Sequence, residues 1–179
     1  RFVTAEDITT YFIGSVLSGG GSRPVSGNSA KDWLDRTNEL QQAALNTRLG
    51  IPLIYGVDAV HGHHNVYGAT IFPHHIGLGA TRNADLIRAI SRATAKEVAA
   101  TGIHWNFGPS VSVPQDFRWG RFYEGFSNRT KIVAELGQAS VLGFQEEGVL
   151  ACAKHFVGDG ATVWDALSEK KMDRGNVEE

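Results

Sequence analysis

Ile51-Pro52-Leu53-Ile54-Tyr55-Gly56-Val57 is an almost unbroken apolar run that ends directly on Asp58 and a long polar loop. A strand buried on both faces reads this way, because both sets of alternating side chains must leave water. Residues 52–57 are therefore read as a strand, with an apolar run before it at 11–17 and two after it, at about 103–113 and 149–156. Helical patterns separate these runs. Ser29, with Asp32 three residues on, reads as the N-cap of a helix that ends before Gly50. Asn83 caps a second helix that carries Leu86, Ile87, Ile90 and Val98 on one face and stops at Gly102. A third spans about 130–147. This rhythm predicts βαβ units and an α/β fold with a parallel sheet.

Each strand delivers its polar residues at its C-terminal end, where open α/β sheets and closed barrels both place their sites. A dinucleotide-binding sheet would show G-x-G-x-x-G at a strand-to-helix turn. Ser18-Gly19-Gly20-Gly21-Ser22 instead runs on into Arg23 and Pro24, with no helix opening at once. The expected architecture is a (β/α) barrel of TIM type. A whole barrel takes about 250 residues, so about half of one is expected in residues 1–179. Open sheet edges are a liability, which leads to an expectation of truncation, self-association or completion by another chain.

The 179 residues are 42% hydrophobic and 20% charged, enough to build a sizeable core. A net charge of −2 offers no broad basic field for nucleic acid or anionic lipid. The chain shows no apolar run near the roughly 20 residues of a membrane helix, and residues 1–10 lack the apolar core of a signal peptide. Cys152 is the sole cysteine, which excludes an internal disulfide and a Cys-rich zinc site.

Four residues stand out as candidate ligand contacts. Asp58 should point into the mouth of the site, where a carboxylate accepts two hydrogen bonds from neighbouring hydroxyls; capping of the loop is the alternative. Arg121, in Arg118-Trp119-Gly120-Arg121, is followed by Tyr123 and Glu124, so it can serve a hydroxyl-rich ligand or form a structural pair with Glu124. Lys154 and His155 interrupt the apolar Ala151-Cys152-Ala153 run, a costly placement without partners. Because strand side chains alternate, both can face inward only at a strand end or a local distortion. Asp159 and Asp165 follow within reach. His61, His63 and His64, with His74 and His75 beyond, read first as loop-packing and hydrogen-bonding histidines, and they open a second reading as a metal-dependent hydrolase, since His-x-His at a barrel strand end is a metal-ligand spacing.

At these residues the sequence resembles glycoside hydrolase family 3, in its β-glucosidase and exo-β-glucanase branch. The likeness is carried by residues 12–22, residues 51–73, Arg118-Trp119-Gly120-Arg121 with Glu124, and Lys154-His155-Phe156-Val157-Gly158-Asp159-Gly160. It implies a barrel domain, here incomplete over 1–179, whose Asp58, Arg121, Lys154 and His155 bind a terminal glucose, with Glu124 and Asp159 supporting them. It also implies retaining hydrolysis by two carboxylates without a cofactor or metal, a β-glucoside or β-glucan oligosaccharide as ligand, and a secreted or periplasmic location. Val157 and Asp159 stand where members acting on N-acetylhexosamine linkages resemble a Pro and a His, which favours the glucosidase branch.

The family's nucleophile is an Asp that usually follows a Ser. No Ser-Asp pair occurs here, and the acid/base residue of the glucosidase branch lies in a second domain. Both catalytic carboxylates are thus expected beyond residue 179, and the chain alone is expected to be inactive. Asp173-Arg174-Gly175-Asn176 resembles a stretch that precedes further barrel units in bacterial members. A noncatalytic sugar-binding module is the remaining alternative.

Overall fold

A computed structural model describes residues 3–161, together with the backbone of 164–165 and 170–171. The elements in order are α1 (Ala5–Tyr11), β1 (Ser15–Ser18), α2 (Ala30–Leu45), β2 (Ile54–Val57), α3 (His75–Ala80), α4 (Ala84–Ala100), β3 (Trp105–Asn106), a 3-10 turn (Phe122–Glu124), α5 (Thr130–Glu146), β4 (Trp164–Asp165) and β5 (Lys170–Lys171). The stretch Asp173 to Asn176 and the side chain of Asp165 lie outside the described residues.

Strands β1, β2 and β3 form a parallel sheet in that order, with Ser18 opposite Val57 and Val57 opposite Asn106. Residues 149–154 occupy a fourth position. Parallel bridges join Trp105 to Leu150 and Ser110 to Lys154, and Cys152 N–H donates to Gly108 O at 2.9 Å. The third and fourth runs therefore pair as expected but hold far less regular strand than 103–113 and 149–156. Pro109, which has no N–H to donate, interrupts the third run. The Gly108–Pro109, Lys154–His155 and Phe156–Val157 peptide bonds are cis.

The first apolar run is a correction. Tyr11 ends α1, Phe12 adopts a left-handed conformation, and only Ser15–Ser18 is strand. A capping box explains it: the Thr4 hydroxyl accepts from Asp7 N–H while the Asp7 carboxylate accepts from Thr4 N–H. The same box at Ser29 and Asp32 starts α2 where expected. The six-residue α3, within the predicted histidine loop, was not anticipated from sequence.

One core cluster packs α1, α2 and the sheet around Ile8, Trp33, Leu40, Tyr55, Val57, Val98, Ile103 and Phe144. A second gathers Leu78, Ile87, Phe126, Val133 and Leu136 between α3, α4 and α5. Helices α4 and α5 lie close: a Cβ at Gly143 would stand 2.5 Å from Arg88 O, and the Ser91 and Ser140 hydroxyls meet at 2.8 Å. Arg88 pairs with Glu146, and Arg92 with Glu147 at 2.9 Å. The buried stripe of α4 is Ile87, Ser91, Thr94, Ala95 and Val98. Leu86 sits about 100° away from Ile87 and is 40% exposed, contrary to expectation. On the sheet, Leu17, Ile54 and Leu150 remain exposed, at 68%, 44% and 52%. Among the described residues no helix is long and apolar enough to cross a membrane.

Two histidines belong to this interior. His63 is fully buried against Trp33 and meets the Thr101 hydroxyl at 3.0 Å, while His75 stacks on Phe126 at 4.1 Å. Burial pushes both from the ordinary 6.5 down to about 4, and His64 lends a smaller repulsion to His63. The folded values lie below the unfolded one, so the unfolded chain takes up protons first. The contribution to stability is complete above pH 6.5 and falls as the pH drops through the window down to about 4. Denaturant titrations should show a loss on the order of 2 kcal/mol per histidine between about pH 7 and pH 5, and replacing either one should flatten that slope. The Asn83 side chain accepts from Leu86 N–H at 2.9 Å, and Asn83→Ala should cost about 1 kcal/mol in the same measurement, with Asn83→Gly costing less.

Candidate active site

The C-terminal ends of the strands deliver their polar residues to one place. Asp58 follows β2 immediately, and its carboxylate accepts from Lys154 Nζ at 2.7 Å, both side chains being mostly buried. Lys154, bridged to Ser110, and His155 after it end the fourth extended segment, which holds isolated bridges and no regular strand. Arg121 enters from the loop after β3. Its guanidinium grips Glu124 with two bonds of 2.7 Å, and Nη2 also stands 3.2 Å from His155 Nε2. His155 Nδ1 lies 2.9 Å from Asp159 Oδ2, which also accepts from the Ser112 hydroxyl at 2.8 Å. The structure thus brings Lys154 to Asp58, and His155 to Asp159 and to Arg121, which in turn holds Glu124. The Arg121–Glu124 pair foreseen as a structural alternative is formed, and Arg121 reaches His155 as well.

Several residues that hold this arrangement were not singled out from sequence. Asn106, fully buried at the end of β3, accepts from Ala59 N–H at 2.8 Å and so fixes the backbone just past Asp58. Asn65 clamps the loop after β1, accepting from Gly21 N–H at 3.2 Å and donating to Gly19 O at 3.1 Å. A Cβ on Gly19 would lie 3.8 Å from the Asp58 carboxylate, so that loop borders the site. His75 joins two of the loops: Nδ1 is 2.7 Å from Glu124 O and Nε2 is 3.1 Å from Val60 O. A neutral imidazole has one N–H to give. The two carbonyls favour protonation, but burial outweighs them, so only one of the two contacts carries an N–H.

The histidine cluster is split. His63 turns into the core, whereas His61 stacks between His64, at 5.0 Å, and His74, at 4.1 Å, and His74 meets the edge of Tyr123 at 4.7 Å. Burial, with repulsion from His61, lowers the pKa of both His64 and His74. His61 Nδ1 is engaged by Phe72 O at 2.9 Å. Among the described residues no three His, Cys, Asp or Glu side chains form a group able to hold a metal ion. His61, His63 and His64 therefore do not assemble into the site that their spacing suggested. Arg118 pairs with Asp116 at 2.6 Å, and Trp119 is buried beneath Gly160. A cleft of about 310 Å³ opens elsewhere, beside β1, lined by Arg23, Arg36, Leu40 and Tyr55 among others; it holds none of the paired polar groups described above.

Residues 1–179 match the model of the glycosyl hydrolase family 3 N terminal domain. A lysosomal beta glucosidase of Dictyostelium discoideum is 36% identical over 169 residues, covering 83% of this chain and 20% of that protein. A periplasmic beta-glucosidase of Salmonella typhimurium is 36% identical over 121 residues, covering 64% and 15%. Among solved structures, an exo-1,3/1,4-beta-glucanase from a Pseudoalteromonas species superposes with a TM-score of 0.85 at 46% identity, covering 90% of this chain and 22% of that one. A beta-glucosidase from Listeria innocua in complex with glucose gives 0.70 at 33%, covering 83% and 20%. The chain spans about a fifth of the length of most of these relatives. Its parallel sheet and helices are part of a TIM-barrel type fold. With that sheet, those strand ends and a family match over its whole length, the chain belongs to glycosyl hydrolase family 3, in its N-terminal domain.

Proposed function

We propose that this chain supplies the recognition part of a retaining β-glucosidase or exo-β-glucanase pocket, with Asp58, Arg121, Lys154 and His155 binding the terminal glucose. The observation that carries the reading is the pairing of donors with acceptors at the strand ends: Lys154 beside Asp58 at 2.7 Å, and Arg121 beside His155 at 3.2 Å. A sugar hydroxyl both donates and accepts, so it can satisfy two sides of such a pair at once. Charge-assisted bonds of this kind are the stronger ones. Glucose and laminaribiose are the ligands named for the Listeria innocua enzyme, and these support a glucosyl ligand here. The periplasmic relatives from Salmonella typhimurium and Dickeya chrysanthemi support a secreted or periplasmic setting.

Retaining hydrolysis needs one carboxylate to attack the anomeric carbon and another carboxyl group to protonate the leaving oxygen. Asp58, Glu124 and Asp159 are each tied to donors in the cluster, which suits binding and support better than attack. We assign nucleophile and acid/base to segments other than residues 1–179, and the 179-residue chain should release no product from an aryl β-glucoside. Turnover by the purified chain would overturn that assignment. Glucose binding measured by calorimetry should weaken by roughly 2 to 4 kcal/mol in Asp58→Ala, which removes the acceptor of two hydroxyl bonds. Unchanged affinity would count against Asp58 as a sugar contact. A noncatalytic sugar-binding module predicts the same binding data. The two are separated by turnover in the longer protein, where loss of activity on Asp58→Ala supports the glycosidase reading.

A further inference from the structure

The hydrogen bonds around His155 run in one direction. Asp159 Oδ2, as a carboxylate oxygen, only accepts, so both its neighbours must donate: the Ser112 hydroxyl at 2.8 Å and His155 Nδ1–H at 2.9 Å. Ser112 has then spent its single proton, and at the 3.1 Å contact between the two hydroxyls Ser110 is the donor. On the other side of the ring, Arg121 Nη2 can only donate, and it lies 3.2 Å from His155 Nε2, which therefore presents a lone pair. The polarity is Ser110 to Ser112 to Asp159, with His155 giving its Nδ1 proton to the same oxygen and taking a bond from Arg121. Ser110 and Ser112 are buried, at 2% and 3% exposure, so water does not compete for these positions. Backbone bonds from Val113 N–H to Asp159 O and from Gln115 N–H to Gly160 O hold the two segments together.

We propose that Ser112 and Asp159 are positioning residues that fix His155 as a hydrogen-bond acceptor toward the sugar, and that the Arg121–His155 pair thereby selects a hydroxyl that donates as well as accepts. The proposal rests on the sugar-binding reading above. A hydroxyl that interposes here takes the Arg121 N–H and gives its own proton to Nε2. With the opposite tautomer, Nε2–H and the Arg121 N–H would face each other, and a group that only accepts would serve. Fluorine in place of that hydroxyl keeps a weak acceptor and removes the donor, so the fixed tautomer discriminates against it.

Ring-nitrogen NMR on the ¹⁵N-histidine-labelled chain, with His155→Gln for assignment, reads the tautomer directly. The unaltered chain should show Nδ1 protonated and Nε2 unprotonated. In an Arg121→Ala background, where that donor no longer faces Nε2, Asp159→Ala should move His155 to a mixture of tautomers, and Ser112→Ala, a smaller change in a buried site, should move it part of the way. In parallel, calorimetry with glucose and with its monodeoxy and monofluoro analogues at each ring hydroxyl should reveal one position where fluoro is no better than deoxy, each about tenfold weaker than glucose. The penalty at that position should shrink in Asp159→Ala. An Nε2-protonated ring in the unaltered chain overturns the relay, as do two folded variants that keep the original tautomer. If glucose binds while the relay fails, the sugar-binding reading survives alone. An Nδ1-protonated ring that saturating glucose does not perturb overturns the sugar-facing role and the binding reading with it.

Discussion

The ion pair between Lys154 and Asp58 joins residues 96 positions apart and couples the ends of the second and fourth sheet positions. Both side chains are mostly shielded from water, so neither charge is tolerable without the other or a ligand in its place. That requirement constrains much else. Asn106 must hold the backbone beyond Asp58, residues 149–154 must follow β3 closely enough to present Lys154, and the Arg121–His155–Asp159 cluster takes its place from the same segment. Lys154 satisfies Asp58 and His155 satisfies Asp159 on this polar edge, while Asn106 uses its oxygen on Ala59 and keeps its buried Nδ2 unpartnered.

Local rules were legible in the sequence where the chemistry is local. Ser29 with Asp32, and Asn83, mark helix starts through bonds to a backbone three residues away, and both helices begin there. Asp58, Lys154 and His155 are legible because each breaks or ends an apolar run, Arg121 because it sits in a compact cationic and aromatic group, and the resemblance points to the same positions. The capping box at Thr4 and Asp7 is equally local, but the apolar run that begins at Tyr11 reads as a strand and masks the end of α1.

What could not be read depended on partners set by sheet order. Nothing near Asn106 says that its side chain meets Ala59, 47 residues earlier, and nothing near Ser112 announces Asp159, 47 residues later. The histidine loop shows the limit of spacing arguments most clearly. His61 and His63 have metal-ligand spacing, yet one packs in a stack of rings and the other in the core, because the turn at Gly62, with φ near 107°, sends them apart. A side chain at Gly62 would also run into Thr70 O at 2.0 Å, so this turn is fixed by packing as well as by backbone preference.

The parallel register, with Ser18 opposite Val57 and Val57 opposite Asn106, bears on how such a chain can change in length. Adding or deleting one residue within β2 would exchange its two faces and carry Asp58 away from Lys154. Length variation compatible with this register falls in exposed loops outside the strands. Insertions and deletions compatible with the pocket are consequently segregated from the strands, leaving the loops as the part of the sequence in which new contacts to the rest of a ligand can arise.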